Sequence, residues 1–191
     1  NGLLDEKITS DRKLLDGVVQ KSITNEGKHF HDDFDTDVLG FDWNFIYNTT
    51  SKYASLDKKG GLLLYGTKNP VISSDEIAWV GYRQKHHEFM AETYICFKDL
   101  DNGSEAGLTI YMNNRHHYEL AVAIIKGVKW LIFRRQIGSL IREERIEKLA
   151  GDSIGIVLEA LKGENGVNLY RFSYSVDEGR IEAGEGEADY L

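Results

Sequence analysis

From Phe89 onward the chain alternates apolar and polar positions with a period of two, the signature of half-buried β-strands. In "FMAETYICF" one face carries Phe89, Ala91, Thr93, Ile95 and Phe97. The other carries Met90, Glu92, Tyr94 and Cys96. In "AGLTIYMN", Leu108, Ile110 and Met112 alternate with Thr109, Tyr111 and Asn113, and in "HYELAVAI" Tyr118, Leu120, Val122 and Ile124 alternate with His117, Glu119 and Ala121. The first set in each strand is the expected core face. The second mixes polar groups with tyrosines, and that surface is where candidate chemistry collects.

Strand-like segments recur at 62–66, 77–83, 88–97, 106–113, 117–125, 128–135, 153–161 and 167–175, separated by turn-rich pieces such as "KDLDNGSEAG", "KKGG" and "KGENG". One segment is ambiguous: the composition of "SLIREERIEKLAGD" favours a helix, but the same residues suit a charged outer strand. Residues 1–29 are polar with short apolar stretches and read as a linker or strap, followed by a β-sandwich domain over 30–191. The expected fold class is all-β, a two-sheet antiparallel jelly-roll sandwich.

Composition narrows the function classes. A formal charge of −8 argues against a nucleic-acid partner held by phosphate contacts and leaves neutral ligands such as sugars open. Cys96 is the single cysteine, so an internal disulfide framework is excluded. No apolar run reaches the length of a membrane helix, and the compartment (bacterial cytoplasm, periplasm or secreted) does not follow from these residues.

The histidine doublets His86-His87 and His116-His117 are the obvious metal candidates. Adjacent strand residues point to opposite faces, so the doublets supply two co-facial rings at best, short of the three or four ligands zinc needs. Asp32, Asp33, Asp35 and Asp37 offer oxygen ligands for calcium but lack EF-hand spacing. Trp43 in "FDWNF" reads as core. A carbohydrate-binding surface is better supplied. Arg83 and Gln84 offer a donor fork and an amide, and Tyr94, Tyr111, Asn113 and His117 share polar-face parity. The alternative for Arg83 is an ion pair closing the sandwich edge. Catalysis is hard to assemble: no nucleophile elbow or phosphate loop appears, and the nearest pair of alternating acids is Glu187 and Asp189.

The ordered pieces "DDFDTDVLGFDWNF", "GGLLLYG", "VGYRQKHHEFMAETYICF", "EAGLTIYMNNRHHYEL" and "YRFSYSVDEG" resemble the C-terminal concanavalin A-like β-sandwich of glycoside hydrolase family 43, found in β-xylosidases and arabinofuranosidases. The resemblance runs from about Phe30 to the end and departs at Tyr82, where arginine is frequent, and at Asn48, where a proline often follows. It implies that the catalytic Asp and Glu residues belong to a five-bladed propeller preceding Asn1. It also implies a loop aromatic lent to the active-site pocket from beyond Leu191, so that the sandwich would lack its final strands. No catalytic residue and no cofactor are assigned to this chain.

Two functions follow as expectations. The first is an accessory domain supporting the propeller of a hydrolase acting on xylan- or arabinan-derived saccharides. The second is an autonomous carbohydrate-binding module. A complete enzyme is the third and weakest reading, because the carboxylate pair is missing.

Overall fold

The computed structural model describes residues 2–3, 30–47, 52–57, 61–176 and 179–191, so nearly all of the expected strap, 1–29, lies outside the described residues. The strands in chain order are β1 (Gly2–Leu3), β2 (Trp43–Phe45), β3 (Ala54–Asp57), β4 (Gly61–Leu64), β5 (Val80–Tyr82), β6 (Lys85–His86) and β7 (Phe89–Cys96). They continue with β8 (Glu105–Asn113), β9 (His116–Ile125), β10 (Val128–Ile137), β11 (Leu140–Lys148), β12 (Ser153–Lys162), β13 (Asn168–Val176) and β14 (Gly179–Glu187).

Two four-stranded antiparallel sheets carry the fold, ordered β11-β10-β9-β8 and β14-β13-β12-β7. Three small ladders flank them, β1–β6, β2–β5 and β3–β4. The two-sheet sandwich expected from the alternation is therefore present. Its core lies between the sheets and includes Tyr118, Leu120, Val122, Leu131, Phe133, Ile156, Leu158 and Phe172. Phe133 and Phe172 meet across the gap with ring centroids 5.4 Å apart. The inward set predicted for β9 is fully in the core, as are Phe89, Ala91 and Phe97 of the β7 face.

Two expectations change in the structure, for Met112 and Trp43, and one open reading is resolved. Met112 is 63% exposed rather than core. A bulge between Tyr111 and Asn113 inserts it as an extra residue and breaks the parity. "SLIREERIEKLAGD" resolves as strand: Leu140–Lys148 pairs along β10, with Glu143 opposite Arg134 and Glu144 opposite Phe133. An outer strand of charged residues suits a solvent-facing sheet edge. Trp43 belongs to a satellite cluster, packing on Phe30, Phe34 and Tyr82 instead of entering the main core. Asp32 pins that cluster by accepting from Trp43 Nε1 at 2.7 Å and from the Phe34 amide at 2.8 Å.

Two glycines of β14 set the spacing of the sheets. A Cβ on Gly184 would lie 2.4 Å from the Phe133 ring, and one on Gly186 would lie 2.4 Å from the Tyr118 ring. Only a bare backbone lets these two core aromatics pass beneath β14.

Candidate functional site

The ladder registers place the outward side chains of the β8–β11 sheet in rows. Ile141, Gln136, His117 and Tyr111 stand side by side across the four strands, and Glu143, Arg134, Glu119 and Thr109 form the next row. Three polar groups on this outer face are buried: Gln136 at 1% exposure, His117 at 2% and Glu119 at 5%. Together with Trp79, these rows border a broad open hollow that extends well beyond them and also touches Arg83, Gln84 and Tyr94.

Arg134 organises the second row. It holds Glu105 through two bonds of 2.9 and 3.0 Å, holds Glu143 Oε2 at 2.7 Å, and donates to Glu119 as well. One guanidinium thus satisfies three carboxylates, which suits its planar fork of donors. Burial pushes the Glu119 carboxyl above its usual range, and the Arg134 charge acts against that shift. Arg134 itself is held firmly protonated: burial works against its charge, and the bond to Glu105 and the charge of Glu119 outweigh it.

In the first row, the His117 ring stacks on Tyr111 with centroids 5.9 Å apart, and Tyr111 meets Trp79 at 5.6 Å. His117 Nδ1 lies 3.4 Å from the Asn113 carbonyl, a group that can only accept, so Nδ1 carries the proton in this contact. Burial lowers the His117 pKa and favours the neutral ring. Burial likewise raises the Tyr111 hydroxyl to about 12, with Tyr47 adding to the shift.

Of the six candidate residues, the fold brings two together here. Tyr111 and His117 share the row, whereas the β8 bulge sets Asn113 opposite His116, where its side chain closes the β8–β9 turn by accepting from the Arg115 amide at 2.8 Å. Tyr94 lies on β7 in the opposite sheet and bonds to Ser153. Gln84 accepts from the Tyr170 hydroxyl at 3.0 Å, and Arg83 is exposed between β5 and β6. The arginine that closes the sandwich is Arg135. It donates to the Glu185 carbonyl of the far sheet at 2.7 Å and lies over the Phe133 ring at 4.5 Å.

Arg134, Gln136 and Glu143 escaped the sequence reading. The alternation in "WLIFRRQI" carries the parity of the first two, but which face they share with His117 depends on strand pairing. Among the described residues, no group of three or more His, Cys, Asp or Glu side chains is arranged to hold a metal ion. Asp32 is already committed to Trp43 and Phe34.

Comparison with known proteins agrees with this architecture. Residues 31–191 match the family described as Beta xylosidase C-terminal Concanavalin A-like domain. The chain belongs to that family. Among curated proteins it is 30% identical over 131 residues to the Non-reducing end alpha-L-arabinofuranosidase BoGH43B of Bacteroides ovatus, which covers 64% of this chain and 25% of that protein. Among solved structures, the Bacteroides ovatus Xyloglucan PUL GH43B superposes with a TM-score of 0.73 at 24% identity, over 83% of this chain and 31% of that one. A GH43_12 retrieved from capybara gut metagenome gives a TM-score of 0.70 at 20% identity, over 84% and 30%. The GH43 protein BlXynB from Bacillus licheniformis gives 0.67 at 22%, over 81% and 30%. At these identities the structural likeness concerns the fold. The chain spans about a quarter to a third of the length of these relatives.

Proposed function

We propose that this chain is the accessory sandwich of a longer glycoside hydrolase of family 43 type, which acts on xylan- or arabinan-derived saccharides, and that it supports a catalytic propeller without performing hydrolysis. The observation that carries this reading is the match over 31–191 to a domain described as C-terminal, within relatives several times the length of the match. The electrostatics support it. A glycosidase needs an acid and a second carboxylate free to act across a bond, whereas Glu105, Glu119 and Glu143 are all bound to Arg134. The test compares the full polypeptide encoded by the gene with the 191-residue chain on nitrophenyl xyloside and arabinofuranoside. Turnover by the full polypeptide alone is the expected result, and turnover by the 191-residue chain would overturn the proposal.

A second reading, carbohydrate binding by the sandwich itself, is favoured by the Trp79–Tyr111 ring pair at the hollow. Aromatic faces suit the C–H faces of sugar rings, and Tyr111 would then be the contact, with the buried His117 ring stacked against it. Calorimetric titration with xylo- and arabino-oligosaccharides tests it. No heat from the native chain, or heat unchanged by Tyr111→Ala, would discard it.

A further inference from the structure

We infer that His117 Nε2 and Gln136 Oε1, on the outer face of the β8–β11 sheet, are paired acceptors for two adjacent hydroxyls of a neutral saccharide. The inference rests on the reading of the sandwich as a carbohydrate binder and adds to it the atoms that read the sugar beside the Tyr111 ring.

The hydrogen bonds these two side chains already make fix which atom of each is left over. The Asn113 carbonyl accepts from His117 Nδ1 at 3.4 Å, so in a neutral ring the other nitrogen carries a lone pair and can only accept. Burial favours that neutral ring and the Arg134 charge adds to the effect, while the Asn113 carbonyl works against it. Gln136 Nε2 donates to the Gly138 carbonyl at 2.5 Å, which orients the amide with its nitrogen on that side and Oε1 on the other. Among the described residues neither His117 Nε2 nor Gln136 Oε1 has a hydrogen-bond partner, and neither atom is sealed from solvent.

His117 and Gln136 are direct partners in the β9–β10 ladder, so their Cβ atoms stand about 5 Å apart on one face. Both side chains border the open hollow, although they are only 2% and 1% exposed. A nearly buried polar atom needs a partner of the opposite kind, and two acceptors side by side need two donors. Both acceptors are uncharged, which suits hydroxyls better than an ammonium group, whose desolvation they would not offset. The rings of Tyr111 and Trp79 continue the same surface and offer it an apolar platform. A sugar unit with two adjacent free hydroxyls supplies both the donors and the C–H face.

Nitrogen NMR of the 191-residue chain, titrated with xylotriose and with arabinotriose, tests this. The His117 Nε2 resonance and the Gln136 side-chain amide should shift saturably with at least one of the two, in step with the Tyr111 amide. Per-O-methylated forms of the same sugars keep the rings but have no hydroxyl donor, and should leave His117 Nε2 unmoved. His117→Phe keeps a ring against Tyr111 and removes the acceptor, and should weaken binding at least about tenfold. If that variant does not fold, the shifts of the unsubstituted chain still decide. Saccharide binding with His117 Nε2 and Gln136 unmoved, or with unaltered affinity in folded His117→Phe, overturns the inference and leaves carbohydrate binding at Tyr111 standing. Equal binding of the methylated sugars overturns it too. No binding of either sugar removes the carbohydrate-binding reading and the inference together, leaving the two acceptors to water.

Discussion

Arg135 Nε lies 2.7 Å from the carbonyl oxygen of Glu185, so a side chain of one sheet is tied to the backbone of the other. The same guanidinium lies over the Phe133 ring and reaches Glu144 at 3.2 Å. A charged donor here seals the edge of an otherwise apolar interior. Arg135→Met should cost about 2 kcal/mol, the usual worth of a partly buried hydrogen bond from a charged group. Urea denaturation checks this; a loss near zero would mean that solvent replaces the bond without penalty.

Gln84 and Tyr170 form a second tie. The Tyr170 hydroxyl is held in a buried setting by Gln84 Oε1. Gln84→Met removes the acceptor and should lower stability by about 1 kcal/mol. If Gln84 is a structural residue, oligosaccharide affinity of the variant equals that of the parent. A selective loss of affinity with unchanged stability would return Gln84 to the binding surface.

Arg134→Met leaves Glu119 buried beside Glu105 and Glu143 with their shared cation gone. Breaking a buried ion pair from one side costs about 3 kcal/mol or more. The expected loss appears in the urea midpoint at neutral pH and shrinks as the pH falls and Glu119 takes up a proton. A variant as stable as the parent at pH 7 would show that solvent reaches this face freely.

The Glu119 carboxyl also predicts a pH dependence in the unaltered protein. Its folded pKa is raised above the ordinary value of 4.5, so between that value and the folded one the native state holds more protons than the unfolded state. The Glu119 contribution to stability therefore falls as pH rises through this window, then levels off. Glu119→Gln does not titrate, so its stability relative to the parent should improve over the same window. A difference constant from pH 4 to pH 8 would contradict the buried-carboxyl account. His117 acts at higher pH with the opposite slope. Its folded pKa is depressed, so its contribution is lost as pH falls below about 6.5.

Gly184→Ala forces a Cβ against the Phe133 ring and should cost about 2 kcal/mol through overpacking. The calorimetric Tm reports it. A substitution tolerated without loss would mean that β14 can shift away from the core.

Strand β14 also marks the boundary of what could be read from the chain. "GRIEAGEGE" has neither β-branched enrichment nor a clean apolar face, so nothing local identifies it as a strand. It is one because its two glycines admit Phe133 and Tyr118 from the opposing sheet. In "HYELAVAI" and "FMAETYICF", by contrast, alternation alone named most of the inward residues, since side-chain direction on a strand repeats every two positions. Met112 shows how a single inserted residue cancels that rule.

The candidate site divides in the same way. Local alternation determined that Tyr111, His117 and Glu119 share a face, and the ordered motifs determined the family. Strand pairing, a long-range property, decided that Arg134 and Gln136 join them and that Tyr94 does not. Pairing also decided that Arg135 closes the sandwich while Gln84 holds Tyr170. Periodicity specifies which way a side chain points from its own strand. Only the register between strands specifies what it meets there.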